Sequence, residues 1–505
     1  MGWTHRTMEL FRTVDGLEAE LKAFPSRAGG KPRRVKTRTL NGEWENESHW
    51  TSKPAGSGPN EGDQSGKPPG PPDFSSATPV EALGIAQDKL EPILRAKATA
   101  LGADLRLGYT MTDWTLNDDN TVSLTATNAA NGNTLQVKGS HLIACDGANS
   151  RIRADLGIST SGVGHLRTIH STLFRCPAIE HHLTRGVSQW SIKNDELEAF
   201  LVTYREGRWA LMTSDPAHAA LNDDGRKALI RQAIGRDEEI EVLARGTWAL
   251  RGSIADAFTD ESRRVFLAGD AAHALPPNRG GYGANTGVAD AHNLAWKLEA
   301  VLAGRADRAL LATYEAERRA VALVRHDQIF AREDYREYVA DSAWLEQRRK
   351  DGKEDIEVLD DVAMELGQIY ANSGAVAMEG EDGGLGLAKT PAEWKGQPGT
   401  RAPHIWLKRK GEVISSLDLF CGGWVLLSND GGLRERLGEL EGLECVLLGP
   451  DVEEVDEGDF EIAFGVEETG AVLIRPDGYI AARWKAGSNV EEITQVHKLV
   501  SFAPI

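Results

Sequence analysis

The chain has 505 residues, with 57 Lys and Arg against 76 Asp and Glu and a formal charge of −19. Such an acidic balance argues against a surface that holds nucleic-acid phosphates or an anionic membrane, and the length suggests two to four domains at about 100–200 residues each. The apolar share of 41% suits a globular protein, and four cysteines (Cys145, Cys176, Cys421, Cys445) form neither a disulfide framework nor a CxxC pair, so the reducing cytoplasm is the expected compartment. The N-terminus lacks the apolar core of a secretory signal, and no run of apolar residues is long enough to predict a membrane span.

Residues 6–23 place Met8, Leu10, Phe11, Val14, Leu17 and Leu21 at helical spacing, with a break near Asp15-Gly16. Residues 54–80, rich in Gly, Pro and Ser, read as an exposed loop. A helix is predicted from Gln87 to Ala100, with Leu90, Ile93, Leu94 and Ala98 on one face. Residues 105–145 alternate like β-structure, with turns at 117–120 and 131–133, and end in the short apolar strand His141 to Cys145. Strand-like segments recur at Thr168–Phe174, Glu198–Tyr204 and Arg208–Thr213. Another buried strand, 264–268, ends at Gly269-Asp270, and a long helix is expected from Ala284 to Ala303. Residues 306–350 read as helical, and a Gly-rich stretch at 373–402 leads to a last unit.

The strongest chemical signal is RVFLAGDAAHALPPNRGGYGANTGVADAHNLAWKL, residues 264–298. A buried strand delivers Gly269-Asp270 to the carboxyl edge of a sheet, where α/β proteins bind ligands. Asp270 suits a sugar hydroxyl. Pro276-Pro277 stiffens the turn. Four glycines between Arg279 and Gly287 let backbone approach a flat or charged ligand, and the following helix start favours an oxygen carrying negative charge. A Gly-rich turn before a core helix is the plain alternative; the fixed order of strand, GD, PP, glycines and helix argues against it. A second segment, LIACDGANSRIR (142–153), ends a strand at Asp146-Gly147 and adds Arg151 and Arg153 as forked phosphate donors.

Together these segments resemble the FAD-dependent aromatic hydroxylases, the class A flavoprotein monooxygenases of the phenol hydroxylase and aromatic polyketide hydroxylase branch. The GD motif of that family matches Gly269 to His273 and continues through Pro276-Pro277, Gly281, Gly283, Asn285, Thr286, Gly287, Asp290, Asn293 and Lys297. The DG motif matches 142–153, and Gln87 to Arg95 is similar to the family's "Q..LEP.LR" helix. The resemblance implies that Asp270 and Gly269 meet the ribityl chain of FAD, that Gly281, Gly283, Ala284 and Asn285 face the flavin, and that Asp146, Gly147, Arg151 and Gln87 lie near the cofactor. It places Pro277, Trp190 and Tyr204 at the substrate, with Phe200, Trp209 and Trp248 as further aromatic candidates. It implies no catalytic side chain and no metal, because the flavin carries the chemistry.

The implied fold is α/β. An FAD-binding doubly wound sheet spans 1–160 and 256–345, a substrate-binding sheet 161–255, a helical linker 346–398 and a thioredoxin-like domain 399–505. That last domain carries only Cys421-Gly-Gly-Trp424, so a structural or dimer-forming role is expected. The implied reaction is hydroxylation of a phenolic or polyketide-derived ring through a flavin C4a hydroperoxide, with NADPH or NADH and O2 as co-substrates, in secondary metabolism or aromatic catabolism. A homodimer is an expected assembly, with neither nucleic acid nor membrane as partner.

One family feature is not found. The expected GxGxxG unit, with its acidic ribose partner, has no counterpart, and roughly the first 30–45 residues of the fold are unmatched. Its strand is expected inside the parallel sheet, so its lack exposes apolar faces and unpaired backbone groups. Three readings stand: a shortened sequence of an ordinary hydroxylase, a degenerate relative that binds FAD poorly, or a flavin-free cyclase, isomerase or non-catalytic partner using the same pocket.

Overall fold

A computed structural model describes residues 2–24, 33–46, 74–277, 281–332, 335, 338–371, 373–378, 388–420, 422–487 and 489–504. The segment 47–73, which holds most of the expected Gly/Pro-rich loop, Arg279 in the glycine turn, and Cys421 lie outside the described residues.

The N-terminal part contributes strand β1 (Gly2–Trp3), helices α1 (His5–Arg12) and α2 (Leu17–Lys22), strands β2 (Arg33–Thr37), β3 (Trp44–Asn46) and β4 (Leu83–Gly84), and helix α3 (Gln87–Ala100). The expected break at Asp15-Gly16 is real: Gly16 adopts φ +70° and caps α2. Met8, Phe11, Leu17, Leu21 and Leu90 form one apolar cluster beneath these helices. A meander of β5 (Tyr109–Leu116), β6 (Val122–Asn128) and β7 (Thr134–Gly139) follows, then β8 (Leu142–Ala144) and helix α4 (Arg151–Asp155).

The middle of the chain supplies β9 (Thr160–Arg175), β10 (Val187–Lys193), β11 (Glu198–Arg205), β12 (Arg208–Thr213), helix α5 (Asp223–Ile234) and β13 (Glu241–Ala255). Next come β14 (Val265–Leu267), β15 (His273–Ala274) and helices α6 (Tyr282–Leu302) and α7 (Ala312–Phe330). The eight-stranded sheet runs β15-β13-β9-β12-β11-β10-β2-β3. It therefore draws its edges from outside 161–255: β2 and β3 at one side, β15 at the other. The strand before the GD turn, β14, pairs in parallel with β8, Val265 to Leu142 and Leu267 to Ala144. Val265, Phe266 and Leu267 are fully buried, whereas Ile143 on β8 is 40% exposed.

Period-two alternation gives the large sheet two different faces. Trp190 pairs with Leu201, Leu201 with Leu211, and Trp209 with Phe174. These residues pack with Ile230, Ala233 and Ile234 of α5. The Trp190 and Trp209 rings lie 5.5 Å apart and neither is exposed. Trp190 is thus a core residue and not a pocket wall. The same holds for Trp209. Their strand positions put both on the face that α5 covers, which aromatic content alone does not reveal. The opposite face carries Phe200, Val202, Met212 and Trp248, all half-buried, with Phe200 opposite Met212 and Trp248 opposite Ile169.

The C-terminal part holds β16 (Trp406–Arg409), β17 (Glu412–Ser415), β18 (Trp424–Ser428), β19 (Leu443–Leu447), β20 (Glu453–Glu454), β21 (Ala471–Ile474), β22 (Ile480–Trp484) and helix α8 (Val490–Val500). The central β18 pairs in parallel with β19 and antiparallel with β21, and β21 continues into β22. This mixed four-stranded sheet with a terminal helix is thioredoxin-like. Among the described residues no helix is long and apolar enough to cross a membrane.

Because Trp209 is sealed between sheet and α5, Trp209→Ala should cost about 3–5 kcal/mol of stability. Urea unfolding followed by far-UV circular dichroism measures it; a loss below about 1 kcal/mol contradicts the packing described here.

Candidate functional site

The site forms where β14 ends. Gly269 takes φ +57°, a left-handed conformation that suits glycine. Behind it lies Gly287 of α6, so close that a Cβ there would stand 3.1 Å from the Gly269 Cα. Two glycines thus let the strand-end turn rest directly on the helix. The turn is pinned by Asp290, a fully buried carboxylate one helical turn further along α6. Its Oδ2 accepts hydrogen bonds from Gly269 N (3.1 Å) and His273 Nε2 (2.6 Å), and its Oδ1 accepts one from Arg318 Nε (2.7 Å). Burial would lift this carboxyl, but His273 and Arg318 hold it down at about 2. His273 is engaged by this contact.

Asp270 differs from Asp290 in every respect. It reaches solvent, and no hydrogen bond from a described residue engages its carboxylate. Desolvation by the surrounding recess raises its pKa, and His273 opposes this. Directly across stands Gly283: a Cβ there would meet nothing nearer than Leu275 O at 3.7 Å and the Asp270 Oδ1 at 3.8 Å. Gly281 is the N-cap of α6 at φ +63°, and no side chain caps the first turn, which leaves backbone N–H donors available.

Asn285 faces inward instead. Its Oδ1 accepts from Thr4 N (3.0 Å) and Thr7 Oγ1 (2.6 Å), and its Nδ2 donates to Gly2 O (3.1 Å) and Gly281 O (2.9 Å). The side chain therefore shapes the turn, and the Asn285 N–H also closes on Gly281 O (3.4 Å), where contact with the flavin was expected. Pro277 is exposed beside this turn.

The DG loop joins the same region through one arginine. Arg153 donates to Ala148 O (2.9 Å) and to Ala271 O (2.6 Å), bridging the two motifs. It acts as a brace, where phosphate binding was expected. Asp146 caps α4 by accepting from Arg151 N (2.8 Å) and Ile152 N (3.2 Å). Arg151 donates to Thr112 O (2.9 Å) but stays half-exposed, and Gly147 has open space at its Cα. Gln87 is exposed at the start of α3 and donates to Glu91 Oε1 (2.6 Å). Its neighbour Asp88 pairs with Arg208 at 2.6 Å, which ties α3 to the β11–β12 hairpin where Tyr204 sits half-buried in a bulge.

Sequence reasoning missed Arg318 and Arg153 in their actual roles. Arg318, wholly buried, also donates to Tyr370 Oη (2.9 Å) and Thr286 O (3.3 Å). A charged residue inside an Arg- and Glu-rich helix gives no sign of facing inward.

The residues present fit a flavin. A carboxylate that no described residue engages suits the ribityl hydroxyls, the helix start without a side-chain cap suits an electron-rich ring edge, and the lack of a side chain at Gly283 lets backbone come close to a flat ligand. Replacing Asp290 by Asn should cost about 3–5 kcal/mol by stranding Arg318. The sign with pH follows from a depressed carboxyl: its contribution is complete above pH ~4 and is lost as pH falls toward 2. D290N should therefore flatten the acid limb of stability in urea titrations at pH 2–6; an unchanged acid limb contradicts the role assigned to Asp290.

Residues 1–327 match the model of an FAD-binding domain family, and residues 395–500 match that of the aromatic-ring hydroxylase C-terminal domain. The chain is 37% identical over 437 residues to 4-methyl-5-nitrocatechol 5-monooxygenase of a Burkholderia species, covering 82% of this chain and 77% of that protein. It is 34% identical to tetracenomycin B2 monooxygenase-dioxygenase of Streptomyces olivaceus, covering 83% and 76%. A solved ternary complex of aklavinone-11 hydroxylase with FAD and aklavinone superposes with a TM-score of 0.79 at 26% identity, over 99% of this chain and 91% of that one. The strand-to-glycine-turn geometry and these matches agree: the chain belongs to the FAD-dependent aromatic-ring hydroxylases.

Proposed function

We propose that the protein is an FAD- and NAD(P)H-dependent monooxygenase that hydroxylates a phenolic or polyketide-derived aromatic ring. The observation that carries this reading is Asp270, a carboxylate that no described residue engages, held across from Gly283 at the start of α6. With FAD bound, the chemistry supplied is electron uptake from a nicotinamide and activation of O2. The chain's own residues do the rest. Asp270 accepts hydrogen bonds from the ribityl hydroxyls. The N–H groups of the first residues of α6, which no side chain of a described residue caps, would stabilise negative charge at the ring edge. Gly147 and Arg151 stand for the diphosphate side.

The substrate ring is assigned to the half-buried sheet face of Phe200, Val202, Met212 and Trp248, with Tyr204 at its hairpin end and Pro277 at the glycine turn. This apolar surface would orient a flat ring and keep water from the reacting atoms. The relatives named above act on 4-methyl-5-nitrocatechol and tetracenomycin B2, as their names state, and another, 31% identical over 96% of this chain, is named a putative polyketide hydroxylase, which supports this substrate class. The reading further places the protein in the cytoplasm, with O2 as co-substrate. It includes a homodimer, supported by Trp406 and Val413, which stand exposed on one face of the β16–β17 hairpin.

The test is direct. The purified chain, with FAD added and then desalted, should keep the visible absorbance of bound flavin and consume NAD(P)H faster when a phenolic ring is present. Asp270→Ala should weaken FAD binding about tenfold or more, as expected for lost hydrogen bonds to a carboxylate. A colourless chain that cannot be reconstituted, or an Asp270→Ala variant that binds FAD normally, overturns the reading.

A further inference from the structure

Helix α1 reads HRTMELFR, and its charged residues recur every third position: Arg6, Glu9 and Arg12. All three engage the C-terminal domain. Arg6 Nη2 donates to Asp477 O at 3.2 Å. Glu9 takes a two-pronged pair from Arg401, with Nε to Oε2 at 2.8 Å and a second contact from Nη2 to Oε1. Arg12 pairs with Asp418 through Nε (2.8 Å) and Nη2 (2.9 Å). Glu9 and Arg401 are 5% and 2% exposed, so this pair is dry.

The other flank of α1 faces the flavin helix. Thr4 and Thr7 hold the Asn285 carbonyl oxygen, and the Asn285 amide closes on Gly281, the N-cap of α6. A second connection reaches α6 lower down. Arg475 donates to Glu317 at 2.6 and 2.9 Å, Glu317 accepts from Lys297 (2.6 Å) and Asn293 (2.8 Å), and Asp477 also accepts from Asn293 (3.1 Å).

We propose that the C-terminal domain is a positioning element for the cofactor site: through α1 it sets the seating of the first turn of α6. The positioning residues are Arg401, Glu9 and Thr7. The chain Arg401–Glu9–α1–Thr7–Asn285–Gly281 is continuous and buried, and two-pronged ionic contacts fix direction as well as distance. This gives a task to a thioredoxin-like domain whose sequence holds no local dithiol. The inference rests on the reading of that turn as the flavin surface.

The test uses the full chain and two readouts. Amide hydrogen exchange at 282–286 is measured without added flavin, and FAD affinity by quenching of flavin fluorescence. Arg401→Met and Thr7→Val should each speed exchange at 282–286 by about tenfold, leave strands β11 and β12 unchanged, and weaken FAD binding by a similar factor. Arg401→Lys should restore part of both. Arg434→Gln, which breaks the exposed Arg434–Asp451 pair of the same domain, should change neither. If Arg401→Met fails to fold, Thr7→Val decides, because it leaves every ion pair in place. Wild-type exchange at 282–286 in a folded Thr7→Val overturns the proposal. A wild-type chain that takes up no FAD overturns the functional reading, while the exchange rates still decide the coupling.

Discussion

The site depends on one buried carboxylate. Asp290 gathers a backbone N–H from Gly269, the ring of His273 and the guanidinium of Arg318, so a strand end, the next strand and helix α7 all meet at one point. A charge without solvent is tolerable only when its partners are fixed. That requirement orders the surroundings: Arg318 must stay extended, and Tyr370 and the carbonyl of Thr286 share its remaining donors. Asp270, next to Gly269, faces outward, and no described residue engages its carboxylate. Two aspartates twenty residues apart thus contrast: Asp290 is consumed by its partners, whereas no described residue engages the carboxylate of Asp270.

Much of this was legible in the sequence, for identifiable reasons. The GD segment combines a buried strand, a glycine at positive φ and a long helix, and local patterning encodes all three. The α1–α2 break at Gly16 and the span of α3 were equally local. Trp190 was misread because its face is set by register with β11 and β2, which composition does not contain. Arg153 was expected to meet phosphate. It braces Ala148 against Ala271 instead, a contact between residues over a hundred positions apart. The inward turn of Asn285 was hidden for the same reason, since its partners lie near the other end of the chain.

The large sheet also redraws the expected boundaries. Its outer strands β2 and β3 come from the N-terminal part and its opposite edge, β15, from the segment just past Asp270. One face is filled by α5 and two indoles; the other keeps aromatic and aliphatic side chains half open. A single sheet therefore has two unlike faces, one tightly packed and one of half-buried apolar side chains.

Strand β13 has a mechanical consequence. It runs from Glu241 to Ala255, pairs with β9 along almost its whole length, and at its far end pairs with His273 and Ala274. The half-buried sheet face and the loop that bears Asp270 thus belong to one hydrogen-bonded ribbon, with register shifts at Leu250/Arg251 and Gly252/Ile254 between them. Such irregularities bend a strand and raise its local twist, so the ribbon turns a corner between its broad middle and the carboxylate cluster at its tip without giving up the ladder that joins them.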